Sequence, residues 1–185
     1  MRILIEQLER SLDSNLYYLS LFTALTLPDI AGALDSDDGV AGLQKYVDWY
    51  EKWVRPRFAD SIRQCLPPEV LALDPNLPES PITGDACYRF RCSLLHQGST
   101  QHPKSPFDRV IFVEPGATDS VLHNNIMNRV LIIDLRLFCL EVVAGVRSWL
   151  NQVESTARFR DNYDNFARRH PDGFPGLIKG VPVVG

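Results

Sequence analysis

The chain has 185 residues, a length that suits one domain with a substantial core. With 45% apolar and 23% charged residues it has the composition of a globular protein. Its formal charge of −4 argues against general adhesion to nucleic acid, so any contact with RNA or DNA must be local. Cys65, Cys87, Cys92 and Cys139 are scattered without a CxxC pair, and we read them as reduced thiols of a cytoplasmic protein. Arg2, Glu6, Glu9 and Arg10 interrupt the first segment, which excludes a signal peptide there. The most apolar run, Val130 to Val146, holds Asp134, Arg136 and Glu141, which excludes a membrane span.

Residues 2–25 read as one long amphipathic helix. Leu4, Leu8, Leu12, Leu16 and Leu19 recur at helical spacing, while Glu6, Glu9, Arg10 and Asp13 face away. Leu27-Pro28-Asp29 starts a second, short helix, with proline suited to its first turn. Gly32 and the run Asp35-Ser36-Asp37-Asp38-Gly39 break it. That acidic run lacks the ligand alternation and closing glutamate of an EF-hand, and reads as a solvated loop. Residues 40–59 form the next helix, with a broad stripe of Leu43, Tyr46, Val47, Tyr50, Trp53 and Val54. Trp49 gives it a second aromatic face, open to a partner. Arg55-Pro56-Arg57 ends or kinks it.

From Cys65 to Pro81 five prolines mark a loop, with a turn of helix at 68–71. Residues 84–98 then read as one short helix. Thr83 or Asp85 caps its start, and Gly98 ends it in a left-handed conformation. Cys87, Phe90 and Leu94 fall on one apolar face. A different face has Tyr88, Cys92 and Leu95 in its middle, with Arg91 on one flank and His96 on the other. These flanks lie about 140° apart on an ideal helix, so the two side chains do not touch by spacing alone. They can converge on something lying across the face, such as a phosphate or a twofold-related helix.

Arg109–Glu114 reads as a strand, Pro115-Gly116 as a turn, and Val130–Ile133 as a second strand, with Val121-Leu122-His123 extending or pairing. We expect a small hairpin inserted into a helical protein. Asp134 caps a long helix to about residue 153, and a last helix runs from 155 to 169. The expected organisation is a single helical domain over 1–170 and an irregular tail over 171–185.

The string Asp85-x-x-Tyr88-x-x-Arg91-Cys92-x-Leu94-Leu95-His96-x-Gly98 resembles the Arg-x(4–6)-His motif of HEPN domains, as found in a group of bacterial proteins with HEPN-like helices. The match directly covers about fifteen residues, and the helical pattern extends it loosely over much of the chain. The resemblance implies a mainly α fold, a HEPN-like bundle of about five helices with the small β-hairpin inserted. It also implies a homodimer whose paired motif helices line one cleft with two Arg91 and two His96. The activity would be metal-independent cleavage of RNA, leaving a 2′,3′-cyclic phosphate and a 5′-OH end, with no cofactor. Tyr88, Cys92, Arg89 and Asp85 would support the site. RNA or a nucleotide, and a cognate antitoxin or other protein, are the partners implied.

These residue types suit that chemistry. Histidine exchanges protons near neutral pH. Arginine offers a phosphate two parallel hydrogen bonds. Catalytic members commonly carry Asn, Asp or His after the arginine. Cys92 stands there in this chain and offers neither an amide nor a carboxylate, so the resemblance reaches the fold more directly than the activity.

Three alternatives stay open. The domain is a non-catalytic binding module for a nucleotide, RNA or protein. Arg91 simply bridges to an acidic residue such as Asp85 or Glu51, while His96 satisfies the helix C-terminus. The Trp/Tyr-rich helix docks a partner. A basic strip of Arg158, Arg160, Arg168, Arg169 and His170 reads as a solvated face. His96, His102, His123 and Asp119 match no metal-ligand spacing, and no glycine-rich phosphate loop is present.

Overall fold

The computed structural model describes residues 1–65, 67–73, 80–119 and 122–185. The expected loop around Pro75 and Pro78, Val121, and the thiol of Cys65 lie outside the described residues and side chains. The protein is mainly helical with small strands.

The first helical stretch is two helices, α1 (Arg2–Asp13) and α2 (Tyr17–Leu34), rather than one. Asn15 breaks it with φ 58°, a left-handed conformation that asparagine tolerates. The chain reverses there, and the Ser11 and Ser20 hydroxyls meet across the hairpin at 2.7 Å. α2 then continues straight through Pro28, which does not start a new helix. This helix is apolar on nearly all sides, as expected of one packed within a core.

The next stretch divides into α3 (Leu43–Trp53) and α4 (Arg55–Cys65), kinked where Pro56 begins the second helix. A single turn, α5 (Pro68–Leu73), follows. α3 is the hub, packed against α2, α7 (Leu135–Val153) and the site helix α6 (Gly84–Gln97). Tyr46, Trp49 and Tyr50 are all buried. Trp49 meets Trp149 of α7 edge-on, with ring centroids 6.0 Å apart, so the expected outward aromatic face is core. Packing this close requires a glycine. A Cβ at Gly145 of α7 would stand 2.7 Å from the Trp53 carbonyl oxygen.

β1 (Arg109–Val113) and β3 (Val130–Asp134) are strands, but they are not a hairpin. They pair in parallel, and the hairpin is formed by β2 (Asn125–Met127) with β3, giving the order β1-β3-β2. The β2–β3 turn uses Asn128 and Arg129, both at positive φ (47° and 62°). This is the two-residue turn geometry that favours Asn-Gly, and arginine in the second place hides it from the sequence. Asp134 accepts from the Leu137 N–H and caps α7, as expected.

α8 (Ala157–Tyr163) is shorter than the expected helix, because the chain turns at Asp164. The tail is partly ordered: β4 (Arg169–His170) pairs antiparallel with β5 (Val183–Val184). The acidic run after α2 is tied down. Asp35 accepts from the Trp149 indole, Asp37 pairs with Arg158, and Asp38 pairs with Lys45. Arg168 lies over the Tyr163 ring, so the basic strip is spread over local partners. No helix among the described residues is long and apolar enough to cross a membrane.

Two outcomes follow from this packing. Gly145→Ala should destabilise the fold by about 2 kcal/mol in denaturant titration, because the contacted atom is backbone and cannot rotate away. The second concerns His123, half-buried beside Phe58, whose Nδ1 accepts from the Asp134 N–H at 3.2 Å. Burial pulls its pKa below the ordinary 6.5. The unfolded chain therefore binds that proton more readily, and the stability it contributes is complete above about pH 6.5 and lost as pH falls through the folded value. His123→Phe should flatten the fall in melting temperature on acidification relative to the native chain.

Candidate functional site

α6 forms where its capping chemistry allows. The Thr83 hydroxyl accepts from the Ala86 N–H, and the Glu51 carboxylate of α3 accepts from the Gly84 N–H at 2.7 Å. Gly98 ends the helix at φ 63°. Cys87, Phe90 and Leu94 are buried, as the apolar face requires.

The outward face converges on Arg91. Its Nε lies 2.7 Å from Oδ2 of Asp29 on α2, off the axis of an in-line hydrogen bond. The two side chains are only 19% and 11% exposed, so solvent screens this pair weakly. Burial pushes the Asp29 carboxyl above its ordinary range, and the positive charge of Arg91 opposes that shift. Arg91 Nη1 contacts His96 Nε2 at 3.3 Å and the Cys92 sulfur at 3.8 Å. Tyr88 flanks the guanidinium, with Cζ 5.8 Å from the ring centroid. Tyr88 itself packs edge-on against Tyr46.

Arg91 and His96 therefore do touch, contrary to what helical spacing suggests. Asp29 grips the arginine at Nε and fixes the long side chain across the helix surface, so its tip reaches the exposed histidine one turn on. Because arginine only donates, His96 Nε2 is the acceptor wherever this contact is a hydrogen bond. Nη2 of Arg91 makes no hydrogen bond among the described residues. A guanidinium held on one side with free N–H groups on the other is prepared to receive an anion.

Not every expected residue joins the cluster. Asp85 and Arg89 pair with each other one turn apart, through two contacts of 2.6 and 2.8 Å. Glu51 is occupied by Arg55 and by the start of α6. The acidic partner of Arg91 is thus neither Asp85 nor Glu51 but Asp29. The sequence offers only a faint sign of it, a lone carboxylate inside an apolar helix. Below the site, burial holds the Cys87 thiol protonated with a pKa of about 12, and its sulfur contacts the Tyr46 hydroxyl at 3.3 Å. Cys87 is therefore a poor nucleophile. Among the described residues, no group of three or more His, Cys, Asp or Glu could hold a metal ion. His102 instead accepts from the Lys104 N–H.

No protein-family model, no curated protein and no solved structure matches this chain.

Arg91→Met leaves the Asp29 carboxylate buried without its cation. The variant should lose about 2–3 kcal/mol at neutral pH, somewhat less than a fully buried pair would. Without Arg91 the Asp29 pKa rises further, so the folded chain holds the proton more tightly than the unfolded one. The deficit should therefore shrink as pH falls through the folded value. Adding Asp29→Leu should restore most of the loss at neutral pH. Chemical denaturation at two pH values measures all three effects.

Proposed function

We propose that the protein is a metal-independent endoribonuclease of HEPN type, acting as a homodimer with Arg91 and His96 at a shared cleft. The observation that carries this reading is the contact between Arg91 and His96 at the surface end of α6, with Asp29 anchoring the arginine from behind. Cleavage of RNA by its own 2′-OH needs a base for that hydroxyl, positive charge on the phosphorus-centred transition state, and a proton for the leaving 5′ oxygen. A phosphate entering at Arg91 takes the Nη1 and Nη2 donors as a fork. Doing so releases His96 Nε2 from the arginine, and the freed lone pair can accept the 2′-OH proton. His96 of the second copy, entering the step as the imidazolium, gives its proton to the leaving 5′ oxygen, so one histidine gains the proton that the other loses. The neutral Tyr88 phenol, kept protonated by burial and by the neighbouring Cys92, stands beside the phosphate site as a further donor. Cys92 adds no proton transfer in this scheme.

A non-catalytic binding module is the second reading, and Cys92 favours it. An arginine with free N–H groups binds a phosphate whether or not a base is positioned to use it.

His96 is the clean probe, because it is exposed and its loss leaves no buried charge. His96→Ala should fold with unchanged stability and lose about 10²–10⁴-fold in cleavage of structured RNA in EDTA. The native protein should leave 2′,3′-cyclic phosphate ends. A folded native dimer that cleaves none of several RNAs, yet still binds them through Arg91, would establish the binding module instead.

A further inference from the structure

The three-stranded sheet has an open edge beside a cavity. In the order β1-β3-β2, β1 is an edge strand. The Val110 N–H points away from β3 and donates to the Thr100 carbonyl at 3.1 Å, so Thr100 covers the start of that edge. Backbone groups two residues apart on a strand turn the same way, so the N–H and C=O of Phe112 also face outward. Neither makes a backbone hydrogen bond there among the described residues. An edge left bare in this way is a template for one more strand.

The cavity next to this edge holds about 240 Å³. Ile111 and Phe112 of β1 line it, with Leu21 of α2 and Phe90 of α6 behind. The Phe90 and Phe112 rings pack with centroids 5.5 Å apart, and the Tyr17 hydroxyl donates to Asn15 Oδ1 at 2.9 Å, so the walls are set before anything binds. A dry cavity of about 150 Å³ already accepts a benzene-sized group. Tyr18, 78% exposed, lines this cavity and a second one, where the exposed Leu16 and Leu19 continue the apolar surface. Glu114 also lines both, and its carboxylate has no ion-pair partner among the described residues.

We propose that this groove takes an extended segment of a partner protein as an added strand on β1, with a large apolar side chain in the inner cavity and a lysine or arginine beside Glu114. A small apolar ligand leaves the Phe112 edge unused. A nucleic acid strand sets phosphates against the Glu114 carboxylate. An added strand meets all three features at once. It supplies a carbonyl and an N–H to Phe112, its alternate side chains point toward the cavity, and a basic side chain neutralises Glu114. Backbone pairing gives the affinity, and the cavity and carboxylate give the selectivity. This inference stands apart from the ribonuclease reading, since it uses none of Arg91, His96 or Cys92 and needs no second copy of the chain.

The test is fluorescence anisotropy of the full chain with pools of labelled octapeptides. Each pool has one central position fixed as Leu, Phe or Asp and a position one or two residues away fixed as Lys or Glu, the others being mixed. Leu or Phe should be preferred to Asp about tenfold, and Lys to Glu about fivefold. Glu114→Lys should invert the charge preference and keep the apolar one, while Tyr18→Ala should weaken every pool. Both changes are at exposed positions, and circular dichroism checks equal folding. Methylating alternate backbone nitrogens of the best peptide should abolish binding in one of the two registers only. Binding of no pool, no preference for the apolar residue, or a preference for Lys that survives Glu114→Lys would overturn the proposal. So would a groove filled by a second copy, read as peptides splitting a dimer in sedimentation velocity, or by single-stranded RNA, read as competition with every pool. Selective peptide binding by a chain that cleaves no RNA upholds it and counts only against the ribonuclease.

Discussion

The aromatic row of α3 is the constraint on which the rest of the molecule depends. Tyr46, Trp49 and Tyr50 are buried side by side, and the helices around them must approach closely enough to leave no void. Gly145 gives α7 that approach. On the α6 side Gly84 does the same, since a Cβ there would stand 2.9 Å from the Val47 carbonyl oxygen. Fixing α2 and α6 on α3 fixes their mutual distance, and that distance brings Asp29 within reach of Arg91.

The Asp29–Arg91 pair turns this packing into a site. An arginine on an open helix face samples many rotamers, and ordering it for a ligand costs entropy. Here a buried carboxylate holds Nε before any ligand arrives. The pair is poorly screened and its carboxyl is already shifted by burial, so it is a weak source of stability but a strong determinant of geometry. Positioning of this kind serves phosphate binding and phosphate chemistry equally.

Much of the local structure was legible in the chain. Thr83 and Asp134 cap the helices they were expected to cap, Gly98 ends α6, and both β-branched runs are strands. The failures were at reversals and long-range pairings. Leucines continue at helical spacing across Asn15, so periodicity carried the first helix past the turn. In the sequence the two strong strand signals point to each other, because β2, with its short and exposed Asn-Ile-Met, gives little signal of its own. Trp49 reads as outward-facing from the sequence because a helix alone does not reveal how many neighbours surround it.

By itself the sequence determined what depends on a residue and its near neighbours: capping oxygens beside free N–H groups, glycine at a left-handed position, apolar side chains on one face of α6. Tertiary structure alone decided that Asp29 rather than Asp85 or Glu51 takes Arg91, that Arg91 reaches His96 despite the angle between them, and that β1 runs parallel to β3. Each of these joins side chains or strands whose positions are set by the packing of other elements. Helical or strand spacing describes an element standing alone, and the partner that completes the geometry lies elsewhere in the chain.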